Sequence, residues 1–356
     1  MSAIDRSHHG GLSRADADEI QAGLRVGQEV VDLSVNLNPA GPPSGVLAAI
    51  RNCDVRNYPE IRAQSLTLAW AAYLEVPPEH LLFGNGASEL LWSLALHLSS
   101  KLSPALVVEP TFSEFVRAIQ TYGGSVRSIW RDPHQRDPAH HEKIISLARK
   151  TQAGSVYLCR PNNPTAWAIP FEALRDIAQA LPGTPIVVDE SFLSLSVHHQ
   201  DAKRDLPSNV YRLRSLTKDY GLAGIRLGYL LGPADLIAKL QSCRPPWTTN
   251  ACAQAAGHAL LEEGEFLESS RRELLQGTKA LERGLRQHGL KPLPSHTIFS
   301  LVPVSSAKAF REALLPEGIV VRDASSFGLP QHVRIAAGTQ ASRRRLMQAL
   351  DRQMLR

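Results

Sequence analysis

The 356-residue chain has four cysteines, Cys53, Cys159, Cys243 and Cys252. They are too few and too scattered for a disulfide framework, and no Cys-x-x-Cys or zinc-like spacing occurs. They read as buried, reduced thiols. No apolar run reaches the roughly 18 residues of a membrane span. The polar start, with His8 and His9, lacks the pattern of a signal peptide, so the expected compartment is the cytoplasm. No Pro/Gly/Ser-rich linker, repeat or low-complexity segment interrupts the chain. The net charge is +5, but the basic residues are dispersed and carry no recognition motif. Arg343-Arg344-Arg345 reads as the solvated start of a terminal helix, and no nucleic-acid partner is expected. A mild positive balance suits an enzyme of phosphorylated or carboxylated small molecules, because fixed cations draw anions inward.

A chain of this length exceeds one small core, so a large domain with a smaller companion is expected. From about residue 80 to 235, short β-branched runs alternate with helical stretches, the pattern of βα units and a mainly parallel sheet. The spacing predicts strands at 106–108, 156–158, 186–188, 210–213 and 228–231. After Pro245-Pro246-Trp247 it predicts one long helix over 251–287. A second α/β pattern then follows, with strands at 297–302, 319–321 and 332–335, a helix at 307–315 and a terminal helix from about 339. The expected organisation is an arm at 1–40, a large α/β domain at 41–245 and a small α/β domain at 246–356 that takes in part of the arm. Ligands of open α/β sheets gather at the carboxyl ends of strands, so residues just past those ends carry the chemistry.

Four motifs fall there. Ser215-Leu-Thr-Lys218 leads into Gly224-Ile-Arg226-Leu-Gly228. A lysine with a hydroxyl three residues before it and an arginine eight after suits a Schiff-base lysine holding an anionic, aldehyde-bearing cofactor. The neighbouring cation depresses the amine pKa, and a phosphate needs a hydroxyl and a guanidinium. Ser-x-x-Lys also opens the acyl-enzyme motif set of β-lactamases, but Ser-Asp-Asn and Lys-Thr-Gly are absent. Gly84-Asn-Gly86-Ala87-Ser88-Glu89 is a glycine turn feeding a helix whose free N–H groups suit an anion. It is not a Rossmann fingerprint, since Glu89 stands where the third glycine belongs. Arg160-Pro161-Asn162-Asn163-Pro164-Thr165 holds an Asn pair in a rigid turn. Asp189, at the end of an Ile-Val-Val run, needs a cationic partner, and a protonated pyridine nitrogen is one.

In this order the motifs resemble the fold-type I pyridoxal phosphate enzymes of the class I/II aminotransferase superfamily, over nearly the whole chain. The resemblance implies a large domain with a mainly parallel sheet plus a smaller C-terminal α/β domain. It makes Lys218 the lysine that bonds the cofactor and moves the α-carbon proton. Asp189 would pair with the pyridine nitrogen and Asn163 with the ring hydroxyl. Ala87, Ser88, Ser215 and Arg226 would hold the phosphate, and Phe112 would stack on the ring. Tyr58, in Asn57-Tyr58-Pro59-Glu60, matches a tyrosine that reaches the neighbouring subunit's phosphate, which implies a homodimer with shared active sites. Arg334, in His332-Val-Arg334-Ile335, matches the arginine that grips the substrate carboxylate.

His9-Gly10-Gly11, Asn36 in Asn36-Leu-Asn38-Pro39, Pro245-Pro246-Trp247 and Arg322-Asp323-Ala-Ser325 are similar to threonine-phosphate decarboxylases of the cobalamin pathway, with histidinol-phosphate aminotransferases next. The former resemblance implies conversion of L-threonine O-3-phosphate to 1-aminopropan-2-ol O-phosphate. His9, Asn36, Arg322 and Arg334 are the candidates for the substrate's two anionic groups. Phe192, where most transaminases of this group carry a tyrosine three residues after the aspartate, fits the decarboxylase. Leu12, in place of an asparagine, and Ala166, in place of a glycine, depart from the pattern and leave open a relative recruited to other chemistry on the same cofactor. No metal is expected.

Overall fold

The computed structural model describes residues 29–135 and 140–354; His9 and Leu12 lie outside the described residues. In chain order the strands are β1 (Val31–Asp32), β2 (Leu81–Asn85), β3 (Ala105–Glu109), β4 (Val126–Trp130), β5 (Ser155–Cys159), β6 (Ile186–Asp189), β7 (Val210–Ser215), β8 (Leu227–Leu231), β9 (Phe299–Pro303), β10 (Ile319–Val320), β11 (Arg322–Asp323) and β12 (His332–Ala336). β2 to β8 form one seven-stranded sheet in the order β2-β8-β7-β6-β5-β3-β4. β8 runs antiparallel to both its neighbours, and the other pairs are parallel.

The inner strands β3, β5, β6 and β8 read as nearly continuous apolar runs because helices cover both faces, whereas β7 carries Arg212 and Arg214, both paired with the buried Glu190. Alternation then sorts their side chains. Tyr157, Cys159 and Val187 join Leu90, Leu91, Leu94 and Phe115 in one core. Val156, Leu158, Ile186 and Val188 join Ile144, Leu174 and Ile177 in the other. Each fully buried leucine contributes about 1.5–3 kcal/mol. β4, absent from the sequence-based expectation, is an edge strand, mostly outside the cores, and its Arg127 and Ser128 are exposed. An edge strand needs no apolar run, and a charge there discourages pairing with another chain.

The helix expected over 251–287 is broken. Ala251–Ala259 is followed by a 3-10 turn at Leu260–Glu262, and a second helix spans Gly264–Gln287. Ala253, Ala256 and Leu260 pack with Val46, Trp70 and Phe83, whereas Leu281 and Leu285 pack with Val302, Val333 and Ile335. The second helix touches the core of the first only near its start, through Phe266 and Leu267. Gly264, a weak helix former, sits at the break.

β9, β11 and β12 form an antiparallel sheet in the order β11-β12-β9, and β1 pairs in parallel with β10. The amide of Ala336 donates to Leu33 O at 2.9 Å. The segment after β1 is thereby laid against the end of β12, and Leu33 enters the same core as Val333 and Ile335.

Candidate active site

The carboxyl ends of β5, β6 and β7 and the start of the helix Gly86–Leu98 meet on one side of the seven-stranded sheet. Lys218 lies in the one-turn helix Leu216–Asp219 directly after β7. Its Nζ is 3.4 Å from Ser215 Oγ and 3.4 Å from Thr217 Oγ1. Burial pushes the amine below its usual pKa and Arg226 and Arg334 add to this, while Asp189 and Asp219 oppose it. Asp189 ends β6 and is buried. Its carboxylate accepts from the Ser191 amide at 2.9 Å and from the Tyr157 hydroxyl at 3.4 Å. Burial raises its pKa, opposed by the Ser191 bonds, by Lys218 and by Tyr157. Among the described residues no cation lies within ion-pair distance of it.

Gly86 has φ +77°, and a Cβ there would come within 2.5 Å of Arg226 Nη2. Only glycine lets this turn close on the guanidinium. Gly228 makes the matching approach, since a Cβ there would lie 2.6 Å from the Ala87 amide nitrogen. Ala87, Ser88 and Arg226 are thus brought to one place, with Ser215 nearby as the register partner of Gly228. Glu89 is not free to repel an anion there. Arg244 grips it with two hydrogen bonds of 2.9 and 2.8 Å.

In the Asn162-Asn163 turn, Asn162 is spent on structure. It accepts from Thr111 Oγ1 at 2.8 Å and donates to Pro110 O at 2.8 Å and Thr165 Oγ1 at 2.9 Å. Asn163 instead accepts from Arg334 Nη1. Phe112 packs at the margin of the core holding Phe115 and Tyr157. Ala166 has φ +58°, which accounts for the glycine expected there.

Arg322 and Arg334 are direct register partners on β11 and β12. Arg334 Nη2 donates to Ser34 O at 2.6 Å, and Arg322 Nη2 to Ser326 Oγ at 2.8 Å. Both are buried, and the Nε of each has no hydrogen-bond partner among the described residues. No described carboxylate forms an ion pair with either. Burial and the neighbouring Arg322 push Arg334 down to about 9. Asn36, two residues past Ser34, is also buried, with both amide atoms unpartnered among the described residues. Groups of this kind call for an anionic, hydrogen-bonding ligand.

Tyr58, expected to reach a neighbouring subunit, lies apart from this cluster in its own chain, 80% exposed and stacked on Trp247 at 4.5 Å. The expectation for the cysteines is revised. Only Cys159 is a buried thiol; Cys243 is exposed, and Cys53 and Cys252 are half-buried. Tyr157 and Thr217 were not singled out in the sequence. Tyr157 reaches Asp189 only through the pairing of β5 with β6, whereas Thr217 could have been found from its place beside Lys218.

These residues match what a pyridine aldehyde phosphate requires: a depressed lysine, a buried carboxylate with no ion-pair partner among the described residues, and a glycine turn closed on a guanidinium. The family model described as "Aminotransferase class I and II" matches residues 28–350. The chain belongs to this family. Its cofactor is pyridoxal 5'-phosphate, and it is an enzyme of the pyridoxal phosphate aminotransferase superfamily. It is 32% identical over 334 residues to a histidinol-phosphate aminotransferase of Lysinibacillus sphaericus, covering 91% of this chain and 90% of that protein. It is also 32% identical over 302 residues to a protein of Caldanaerobacter subterraneus subsp. tengcongensis provisionally named threonine-phosphate decarboxylase, covering 82% and 81%. The crystal structure of histidinol-phosphate aminotransferase from Sinorhizobium meliloti in complex with pyridoxal-5'-phosphate matches over the full length of both chains. Its TM-score is 0.80 or better, at 0.84, with 25% identity.

Proposed function

We propose that this enzyme acts on a small phosphorylated amine or amino acid, with Arg322 and Arg334 gripping its anionic groups. The observation that carries this is the pair of opposed, buried guanidiniums with no carboxylate partner among the described residues. A phosphate and a carboxylate on one substrate would neutralise both, each through paired N–H···O bonds. Asn36, two residues past the Ser34 carbonyl that Arg334 holds and unpartnered among the described residues, would donate to the same ligand, and His9 would join from the arm.

When bound, the cofactor supplies an electron sink for the bond broken at the substrate's α carbon. The chain's own groups do the rest. Lys218 Nζ would bond the cofactor and then carry the proton to or from the α carbon; burial favours the neutral amine that this needs. Asp189 would hold the pyridine nitrogen protonated, with Tyr157 and the Ser191 amide fixing the carboxylate's orientation. Ala87, Ser88, Ser215 and Arg226 would hold the phosphate, Phe112 would cover the ring and Asn163 would meet the ring hydroxyl. On this reading the chain divides into an arm (1–40), a large cofactor-binding domain (41–245) and a small domain (246–356) that takes in part of the arm, as the pairing of β1 with β10 supports.

Two outcomes for the bound substrate each have support. Amino-group transfer of the histidinol-phosphate type is favoured by the names of most relatives. Decarboxylation of L-threonine O-3-phosphate to 1-aminopropan-2-ol O-phosphate, a cobalamin-pathway step, is favoured by Phe192. That ring lies edge-on to Phe299 at 5.1 Å, within an apolar cluster, and Phe299 in turn lies under the Arg334 guanidinium at 5.5 Å. A tyrosine's donor to the ring oxygen is thereby replaced by packing that supports the carboxylate-binding arginine. Purified enzyme supplied with each phosphorylated substrate separates the two. Carbon dioxide released from threonine phosphate without a keto acid supports decarboxylation, and turnover that requires 2-oxoglutarate supports transfer. Absence of turnover with both, and with their close phosphorylated analogues, would contradict the substrate class.

A further inference from the structure

The segments 53–65 and 247–258, distant in sequence, are joined side by side. Trp247 donates its amide to Ile61 O at 3.2 Å, Gln254 Nε2 donates to Glu60 O at 2.9 Å, and Ser65 Oγ lies 3.1 Å from His258 Nε2. At one end of this seam, Cys53 and Cys252 face each other with their sulfurs 3.2 Å apart. Cys53 follows the last turn of the helix Ser44–Asn52, and Cys252 sits in the first turn of the helix Ala251–Ala259. Neither is fully buried, so a small oxidant can reach the pair.

We propose that Cys53 and Cys252 form a reversible redox couple that closes to an intramolecular disulfide when the protein meets hydrogen peroxide. A disulfide requires sulfurs about 2.05 Å apart, so the gap to close is small and falls within the motion of a helix end. The other two cysteines lack this arrangement. Cys159 is buried, and its thiol is pushed up to about 12 by burial and by Asp189. Cys243 is exposed at the end of its helix, and no second thiol faces it among the described residues.

The chemistry balances with peroxide as the two-electron oxidant. Contact with Cys252 raises the pKa of Cys53; Cys252 is given the first attack, and the balance is the same with the two sulfurs exchanged. The Cys252 sulfur takes one peroxide oxygen, the O–O bond breaks, and a sulfenic acid and one water result. The Cys53 sulfur then attacks the Cys252 sulfur. The S–S bond forms, the S–O bond breaks, and hydroxide leaves with the Cys53 proton as a second water. A thiol reductant reverses the step by exchange. The bond would close a loop spanning a sequence separation of 199 residues, which restricts the unfolded chain far more than a local link does.

The test uses full-length, cofactor-loaded protein treated with a slight excess of hydrogen peroxide, then blocked with iodoacetamide and mapped by mass spectrometry without reduction. The expected result is a Cys53 peptide linked to a Cys252 peptide and an intact chain two hydrogens lighter. Dithiothreitol should reverse both, and the unfolding temperature should be higher before that reversal than after it. Cys243→Ser should leave the link unchanged. In Cys53→Ser the link should vanish and Cys252 should be trapped by dimedone as a sulfenic acid. Recovery of wild-type Cys53 and Cys252 as separately alkylated or separately oxidised residues would overturn the proposal, and needs no variant to be read.

Discussion

At the scale of single residues, the site concentrates groups whose burial opposes their charge. Arg334 and Arg322 are the extreme case, since two guanidiniums are opposed without a carboxylate to offset them among the described residues. Replacing Arg334 with Met should therefore separate function from stability. kcat/KM for the phosphorylated substrate is expected to fall roughly 10²-fold or more, from the 2–5 kcal/mol that losing one partner of a buried charge pair costs. The thermal midpoint of the ligand-free protein is expected to hold or rise, because an uncompensated buried charge is removed; a large drop in both would show that the arginine is structural. Asp219 gives a pH test. Burial raises its carboxyl from the ordinary 3.8 to about 7, against the pull of Ser194, Arg214, Lys218 and Arg271. The folded state thus binds this proton more tightly than the unfolded state, so its contribution to stability is lost as pH rises from about 4 to about 7. Asp219→Asn removes that slope. Its denaturant midpoint relative to the wild type should climb between pH 5 and 8, and a constant difference would contradict the assignment.

At the scale of elements, the turn from β2 into the helix Gly86–Leu98 is a hinge of the account. Gly86→Ala places a Cβ against Arg226 and forces a left-handed backbone on a residue that resists it by about 1–2 kcal/mol. Cofactor affinity should fall about tenfold or more, read from the dissociation of pyridoxal phosphate; unchanged affinity would show that the turn does not touch the phosphate. This element was legible in the sequence because glycine and a helix start are local signals. Lys218, Asp189 and Asn163 were legible for a similar reason, each standing just past an apolar run. β4 was not, because an edge strand tolerates polar residues. Neither was the break at Gly264, since a helical period does not say which core each turn serves. The facing of Arg322 and Arg334 is a matter of antiparallel register between β11 and β12, and Tyr157 reaches Asp189 by strand pairing. Neither contact is written in local spacing.

At the scale of the whole molecule, Val55, Tyr58, Ile61 and Trp247 form an exposed apolar and aromatic surface on and beside the 53–65 seam, exposed by 72, 80, 57 and 38%. A surface of this kind suits a second copy of the chain, and it carries the residue expected to reach a partner's cofactor. Ile61→Asp should shift the protein toward monomer in sedimentation and lower activity with it; an unchanged mass would remove the homodimer from the account. No helix among the described residues is long and apolar enough to cross a membrane. Everything proposed for the site depends on Lys218 holding the cofactor beside a phosphorylated substrate. The most direct test is the visible absorption spectrum of purified protein with pyridoxal phosphate, titrated with threonine phosphate and histidinol phosphate. The account requires a visible band that responds to at least one of them and is missing in Lys218→Ala. A colourless wild type that ignores added cofactor, or a band that survives in Lys218→Ala, would contradict it.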